Sequence, residues 1–377
     1  MDRIHILTHE FRPKRGGAGA VCEKIAETLT RTGREVTVWA PEYTGQANDF
    51  NPAYDVRVLR RLKGTRNLPC LLVTAREVAA SRKTLRTAEI YLGEPGPIAV
   101  FMVLTLLLPR FWKRLVITLH GSEILRYQQS RWWGAPLFRR LARKADVIHV
   151  LSKHNEQVLL SWLPELKHKL VRGFGMSLPG EGLPTLARSA LDAEHTVRML
   201  CVARIHPRKG QRELLEAVQR LEPDVKRRLH ICFVGQLVKD RYFREVSDLA
   251  YSCGAQVEFT GGLSDDELEK CYREADLFAL TSVPFGTSVE GLGLVYLEAS
   301  RFGIPILAHR IGGVEDVVRH GQNGYLCDPQ DREALARHLD ILIRNPLLRK
   351  QLGEQGRAMV QTHDWQSVVS RMFPSPR

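Results

Sequence analysis

Ten short runs of β-branched and aliphatic residues, each followed by a stretch with helical spacing, constrain this chain more than any other feature of its sequence. Runs at 4–8, 35–40, 90–92, 115–119 and 147–151 form one series, and runs at 198–202, 229–234, 256–259, 277–281 and 305–308 a second. Near-continuous apolar strands that alternate with helices belong to parallel sheets covered on both faces. The predicted class is α/β, with one sheet for each series. A stretch at 174–196 is rich in Gly, Pro and Ser, lacks a sustained period and reads as a linker between them. Length agrees, because 377 residues exceed the ~250–300 at which single cores stop growing.

Composition removes several alternatives. With 44% hydrophobic and 26% charged residues the chain is too apolar for disorder. Its longest apolar run, 97–109, falls short of the ~20 residues that span a bilayer, and the sequence opens MDRIHILTHE without a signal pattern. A cytoplasmic protein, neither spanning nor secreted, is expected. The seven cysteines form no CxxC or other metal-ligand spacing, which suits a reducing compartment.

Charge is uneven. Residues 1–180 hold 29 Lys and Arg against 15 Asp and Glu, a net +14, while 181–377 hold 26 against 27, a net −1. Much of the excess lies at 57–86 and at 126–144, the latter with Trp132, Trp133 and Phe138 interleaved. An anionic membrane leaflet, nucleic acid and a solvated basic face are the competing readings. No helix-turn-helix, zinc-finger or RNP-like motif accompanies the charge, so nucleic acid is not expected as a partner.

Open parallel sheets bind ligands beyond the carboxyl ends of their strands, so residues following strands are the site candidates. After the first strand, Gly16, Gly17 and Gly19 precede a helix whose N–H groups could face an anion, although a tight turn explains them equally well. The spacing is not GxGxxG, which weakens a nicotinamide reading. His120 and Gly121 end the fourth strand, where His120 is either a cleft residue or a satisfied structural histidine. In the second series Arg204 and Lys209 stand five residues apart after a strand, so two cations could meet one diphosphate. The most informative segment is TSVPFGTSVEGLGLVYLEAS, with Glu290 in a loop, the turn Gly291-Leu292-Gly293, and Glu298 inside the helix that starts near Leu294. A buried carboxylate needs a partner, which a sugar or ribose diol supplies, and the N–H groups at the helix start could hold phosphate.

These residues resemble the retaining glycosyltransferases of the two-Rossmann-domain (GT-B) architecture, specifically the large family 4 type that includes sucrose synthase-like enzymes and bacterial mannosyl- and glucosyltransferases. The resemblance rests on E-x7-E at Glu290 and Glu298, R-x4-K at Arg204 and Lys209, and GG-x-x-[DE] from Gly312 and Gly313 to Glu315 and Asp316. It implies an acceptor-side domain at 1–175 completed by a C-terminal helix at about 363–377, a linker at 176–196, and a donor domain at 197–362, with the ligand between the domains. It further implies that Glu298 binds the donor ribose, and that Glu290 with the backbone of Gly291, Leu292, Gly293 and Leu294 contacts sugar and phosphates. Arg204 and Lys209 would neutralise the diphosphate, Gly262 would lie near the base, Gly16 and Gly17 near the reacting sugar, and His120 would be the cleft histidine. Where relatives often read PNG(V/I)D, this chain has VRGFGMS at 171–177, so contacts from that loop are not carried over.

The implied partners are a nucleotide-sugar donor and a glycan or lipid-linked acceptor, with an anionic membrane surface as a further candidate. UDP is expected over GDP on family frequency alone. No cofactor and no metal are expected: no DxD of the metal-dependent sort follows a strand, and Asp265-Asp266 reads as a helix N-cap and first turn. A carboxylate nucleophile is not evident, which favours same-face attack. The rival readings are a nucleotide-sugar 2-epimerase and a non-catalytic, membrane-associated scaffold of the same fold.

Overall fold

The computed structural model describes residues 3–12, 16–41, 52–59, 68–176, 196–237 and 240–374. Most of the expected linker, and 60–67 of the first basic stretch, lie outside the described residues. The chain divides into two compact units, Met1–Glu181 with His363–Arg377, and Gly182–Thr362.

The first unit is built on seven parallel strands: β1 Arg3–Leu7, β2 Glu35–Pro41, β3 Asp55–Leu59, β4 Glu89–Leu92, β5 Arg114–Leu119, β6 Val147–Val150 and β7 Leu170–Arg172. Their order is β3-β2-β1-β4-β5-β6-β7, with Ile4 opposite Val36 on one side and Glu89 on the other. The central strands are buried on both faces, which is why they read as continuous apolar runs. Helix Gly17–Arg31 buries Val21, Cys22, Ile25, Ala26 and Leu29, the helical spacing that the sequence carries. The last helix, Trp365–Met372, is capped by Asp364, which accepts from the Ser367 N–H at 2.7 Å. It packs against helix Gly17–Arg31 and β7. Trp365 is 2% exposed, and Gly175 lies against it so closely that a Cβ there would stand 2.5 Å from the Trp365 nitrogen. Gly175 thus gives room to this indole.

The second unit has six parallel strands: β8 Val197–Val202, β9 Leu229–Val234, β10 Gln256–Gly261, β11 Leu277–Leu280, β12 Ile306–His309 and β13 Gly324–Cys327, in the order β10-β9-β8-β11-β12-β13. In both units the sequence order reverses at the strand after which the chain crosses to the other side of the first, the place where open sheets accept ligands. All ten expected runs are strands, and the class is α/β with two Rossmann-like parallel sheets. Three further strands, β3, β7 and β13, each lie at a sheet edge. Asp265 and Asp266 do form the first turn of helix Asp265–Glu274, with Ser264 as the cap in a reciprocal pair with Glu267. Among the described residues no helix is long and apolar enough to cross a membrane.

Candidate active site

In the second unit, β8 leads into a single 3-10 turn, Pro207–Lys209, and then helix Gln211–Val218. Gly210 joins them at φ 70°, and a Cβ there would stand 1.7 Å from the Thr281 carbonyl oxygen, so only glycine fits. This tight junction aims Lys209 at the loop after β11. Its Nζ donates to Glu290 Oε2 at 2.7 Å, Arg208 Nη1 lies 3.3 Å from the same oxygen, and the Ser282 hydroxyl donates to it at 2.9 Å. Glu290 is 7% exposed. Burial alone would raise its pKa, but Lys209 and Arg208, with the hydrogen bonds from Lys209 and Ser282, hold it below the ordinary carboxylate value. Glu290 is an anion at neutral pH, fixed by two cations.

The backbone of Glu290 is fixed as well. Its carbonyl accepts from the Gly313 N–H at 3.0 Å, and Gly312, at φ 57°, passes so close that a Cβ would stand 2.0 Å from that oxygen. The GG pair of the downstream motif therefore clamps the upstream glutamate. Glu298 lies one turn inside helix Leu294–Arg301, of which Gly293 is the N-cap, and accepts from the Tyr272 hydroxyl at 2.7 Å. Burial first, and the neighbouring carboxylate second, raise the Tyr272 phenol well above its usual pKa, so it stays a donor. The two glutamates of E-x7-E occupy different surroundings, one ionic and one phenolic.

Gly291 is half-buried between the glutamate and the helix start, the Leu292 side chain is in the core, and Leu294 is the first helical residue. Gly262 is exposed just past the end of β10. Arg204 and Lys209 are not brought onto a common partner. The Arg204 side chain is exposed and, among the described residues, makes no ion pair, while Arg208 accompanies Lys209 instead. Sequence reasoning missed Arg208, although it stands beside Lys209 in HPRKG, and it missed Tyr272 and Ser282.

In the first unit the candidates are held by directional hydrogen bonds, several of them accepted by carboxylates. Glu94, fully buried after β4, accepts through Oε1 from the Thr8 hydroxyl and the Glu10 N–H, each at 2.8 Å, and from the His9 N–H. It thereby shapes the chain that leaves β1 toward Gly16, the N-cap of helix Gly17–Arg31. A Cβ on Gly16 would stand 2.7 Å from Glu10 Oε2, whereas Gly17 faces open space. His120, half-buried at the end of β5, places Nε2 2.7 Å from the Gly93 carbonyl oxygen, which fixes Nε2–H as the donor and leaves Nδ1 an acceptor in the neutral ring. The His120 carbonyl accepts from Asn155 Nδ2 at 3.0 Å, and its N–H donates to Glu123. Glu94 was absent from the expected site, although it too follows a strand.

Two parallel Rossmann-like sheets, each presenting acids, cations or histidine after its strands, are the arrangement of two-domain α/β proteins that bind ligands at strand ends. Comparison with known proteins sharpens this. The family described as Glycosyl transferases group 1 matches residues 186–359, and Glycosyltransferase Family 4 matches residues 15–171. The chain belongs to the family 4 glycosyltransferases. It is 28% identical, over 93% of its length and 92% of the relative's, to the GDP-mannose-dependent alpha-(1-6)-phosphatidylinositol monomannoside mannosyltransferase of Mycolicibacterium smegmatis. Identity to the protein of the same name from Mycobacterium tuberculosis is 27%, over 99% of this chain and 97% of that one. The fold superimposes on sucrose-phosphate synthase from Thermosynechococcus elongatus with a TM-score of 0.77 at 20% identity, covering 99% and 97% of the two chains. The expected preference for UDP finds no support in these relatives, whose names specify GDP-mannose.

Proposed function

We propose that this glycosyltransferase moves mannose from GDP-mannose to a hydroxyl of a lipid-linked acceptor, with retention and without a divalent metal, from the cytoplasmic side of a membrane. The observation that carries the reading is full-length similarity to GDP-mannose-dependent mannosyltransferases acting on a phosphatidylinositol glycolipid, joined to the Glu290–Lys209–Arg208 cluster. The C1–O bond to the GDP phosphate breaks and its electron pair leaves on the diphosphate. The acceptor oxygen bonds C1 on the same face, and its proton passes to a leaving phosphate oxygen. Lys209 and Arg208, with Arg204 nearby in sequence, carry the positive charge that such a leaving group requires, in the role that a metal has elsewhere. Glu290 and the start of helix Leu294–Arg301 at Gly291, Leu292, Gly293 and Leu294 hold the sugar and phosphates, and Glu298 takes the ribose diol. Gly262 lies near the base, and the family resemblance gives Gly16, Gly17 and His120 roles at the reacting sugar.

The test is turnover of GDP-mannose, UDP-glucose and UDP-galactose with phosphatidylinositol glycolipid as acceptor, in the presence of EDTA. Release of GDP with formation of a mannosylated lipid is expected. Turnover of a UDP-sugar alone, or activity abolished by EDTA and restored by magnesium, would overturn the donor or the metal-free part respectively.

A further inference from the structure

The basic, tryptophan-bearing segment of the first unit forms one continuous surface with the apolar helix beside it. Helix Pro95–Leu107 buries most of its length yet leaves Val103, Leu106 and Leu107 at 48%, 51% and 72% exposure. Helix Gly134–Lys144 turns Phe138, Leu141 and Ala142 inward and keeps its cations outside. The turn between it and the preceding helix carries Trp132 and Trp133, 94% and 67% exposed. The two helices pack together, and the Arg140 Nη2 and Lys144 Nζ groups both donate to the Thr105 carbonyl, at 3.3 and 3.1 Å, which places the cations next to Leu106 and Leu107. They satisfy an orphan carbonyl at a helix C-terminus, where positive charge is favourable. A concavity of about 600 Å3 is lined by Arg131, Pro136, Arg139, Arg140, Arg143 and Lys144.

The charge is uncompensated. Apart from Glu123, no acidic residue occurs from 95 to 145. Among the described residues Arg131 and Arg139 make no ion pair, and Arg143 has only the exposed Glu165 at 3.6 Å, a pairing of small energy. Fully exposed indoles are unfavourable in water and favourable where an apolar body meets polar headgroups. Nucleic acid would engage the cations and stack on the indoles but leave Leu106 and Leu107 in water. A bilayer takes all three: phosphates at the arginines, indoles at the headgroup level, leucines toward the acyl chains.

We infer that the surface formed by Val103, Leu106, Leu107, Trp132, Trp133 and the arginines of helix Gly134–Lys144 docks the first unit on a bilayer rich in anionic phospholipid. The inference deepens the lipid-acceptor reading and rests on it for its use in the cell. Flotation with phosphatidylcholine vesicles, with and without phosphatidylglycerol, tests it in the full-length protein. Wild type floats with the anionic vesicles at low salt and is released at high salt. Arg131→Ala with Arg139→Ala lowers the partition coefficient about 30-fold, at roughly tenfold or less for each charge near the surface. Trp132→Ser with Trp133→Ser, on a different element, weakens binding and removes the blue shift of tryptophan emission. Wild-type behaviour of both variants, equal flotation with neutral vesicles, or binding to single-stranded DNA without flotation overturns the inference. GDP binding measured on the same preparations separates the two readings: lost flotation with intact GDP binding contradicts only the docking surface, and the reverse only the donor assignment.

Discussion

The candidate residues of the two units are held in place by opposite means. In the second unit the site is ionic: Glu290, nearly buried, is pinned by Lys209, Arg208 and Ser282, and its backbone by Gly313. In the first it rests on directional bonds between backbone and side chains, with Glu94 gathering the β1 exit and the Gly93 carbonyl orienting His120. The difference teaches a division of labour. Cations that are to meet a diphosphate can be held against a carboxylate until it arrives, their attraction offsetting the desolvation that burial imposes on Glu290. A group that must present one ring nitrogen in one tautomer needs a fixed acceptor, which the Gly93 carbonyl provides for His120.

The largest expected effect follows from the closest approach. Gly312→Ala puts a methyl group 2.0 Å from the Glu290 carbonyl and forces L-chirality to φ 57°, so a loss of about 4 kcal/mol is expected, with GDP binding abolished. Chemical denaturation and calorimetry check it, and a variant of unchanged stability would break the clamp argument.

Acidification probes what the units share. His149 in the first and His309 in the second are buried, and burial above all pushes each pKa from 6.5 down to about 4. The unfolded state binds those protons at higher pH than the folded one, so the stabilisation is present above pH 6.5 and is lost as pH falls toward 4, by about 3 kcal/mol for each histidine. Glu290, whose folded pKa is lowered, adds its own loss only as pH falls below the ordinary carboxylate value. Denaturation midpoints across this range should fall steeply in wild type and less so in His149→Gln; identical slopes would remove His149 from the account.

Glu94→Gln is expected to have the smallest effect on stability, about 2 kcal/mol, because the amide oxygen keeps part of the hydrogen bonding and loses only its charge assistance. Its value lies in the contrast: transfer should slow while GDP affinity stays at the wild-type level. A fall in GDP affinity would blur the distinction between the units.

The central strands were legible because burial on both faces writes them as unbroken apolar runs. Of the four edge strands, only Gln256–Gly261 was. Asp55–Leu59 reads DVRVL, with exposed Arg57 set against half-buried Glu77, and runs into the basic stretch that begins at Arg57, while Leu170–Arg172 has only three residues and Gly324–Cys327 opens on glycine. At the site, motif spacing singled out Glu290, Glu298, Lys209 and Arg204 but not Arg208, which shares Glu290 Oε2 with Lys209. Distances along the chain do not reveal that the 3-10 turn Pro207–Lys209 rotates neighbouring side chains onto one oxygen. Glu94 escaped because its partners, the Thr8 hydroxyl and the His9 and Glu10 N–H groups, lie 84 to 86 residues away and leave no local mark in sequence.

The most direct test of the ionic and directional division is calorimetric titration of GDP into wild type, Lys209→Met and His120→Ala. The account predicts at least a tenfold loss of affinity in Lys209→Met, from removal of a charged hydrogen bond worth about 1.5–3 kcal/mol, and no change in His120→Ala despite a collapse of transfer. Equal GDP affinity in all three proteins, or a loss confined to His120→Ala, would contradict it.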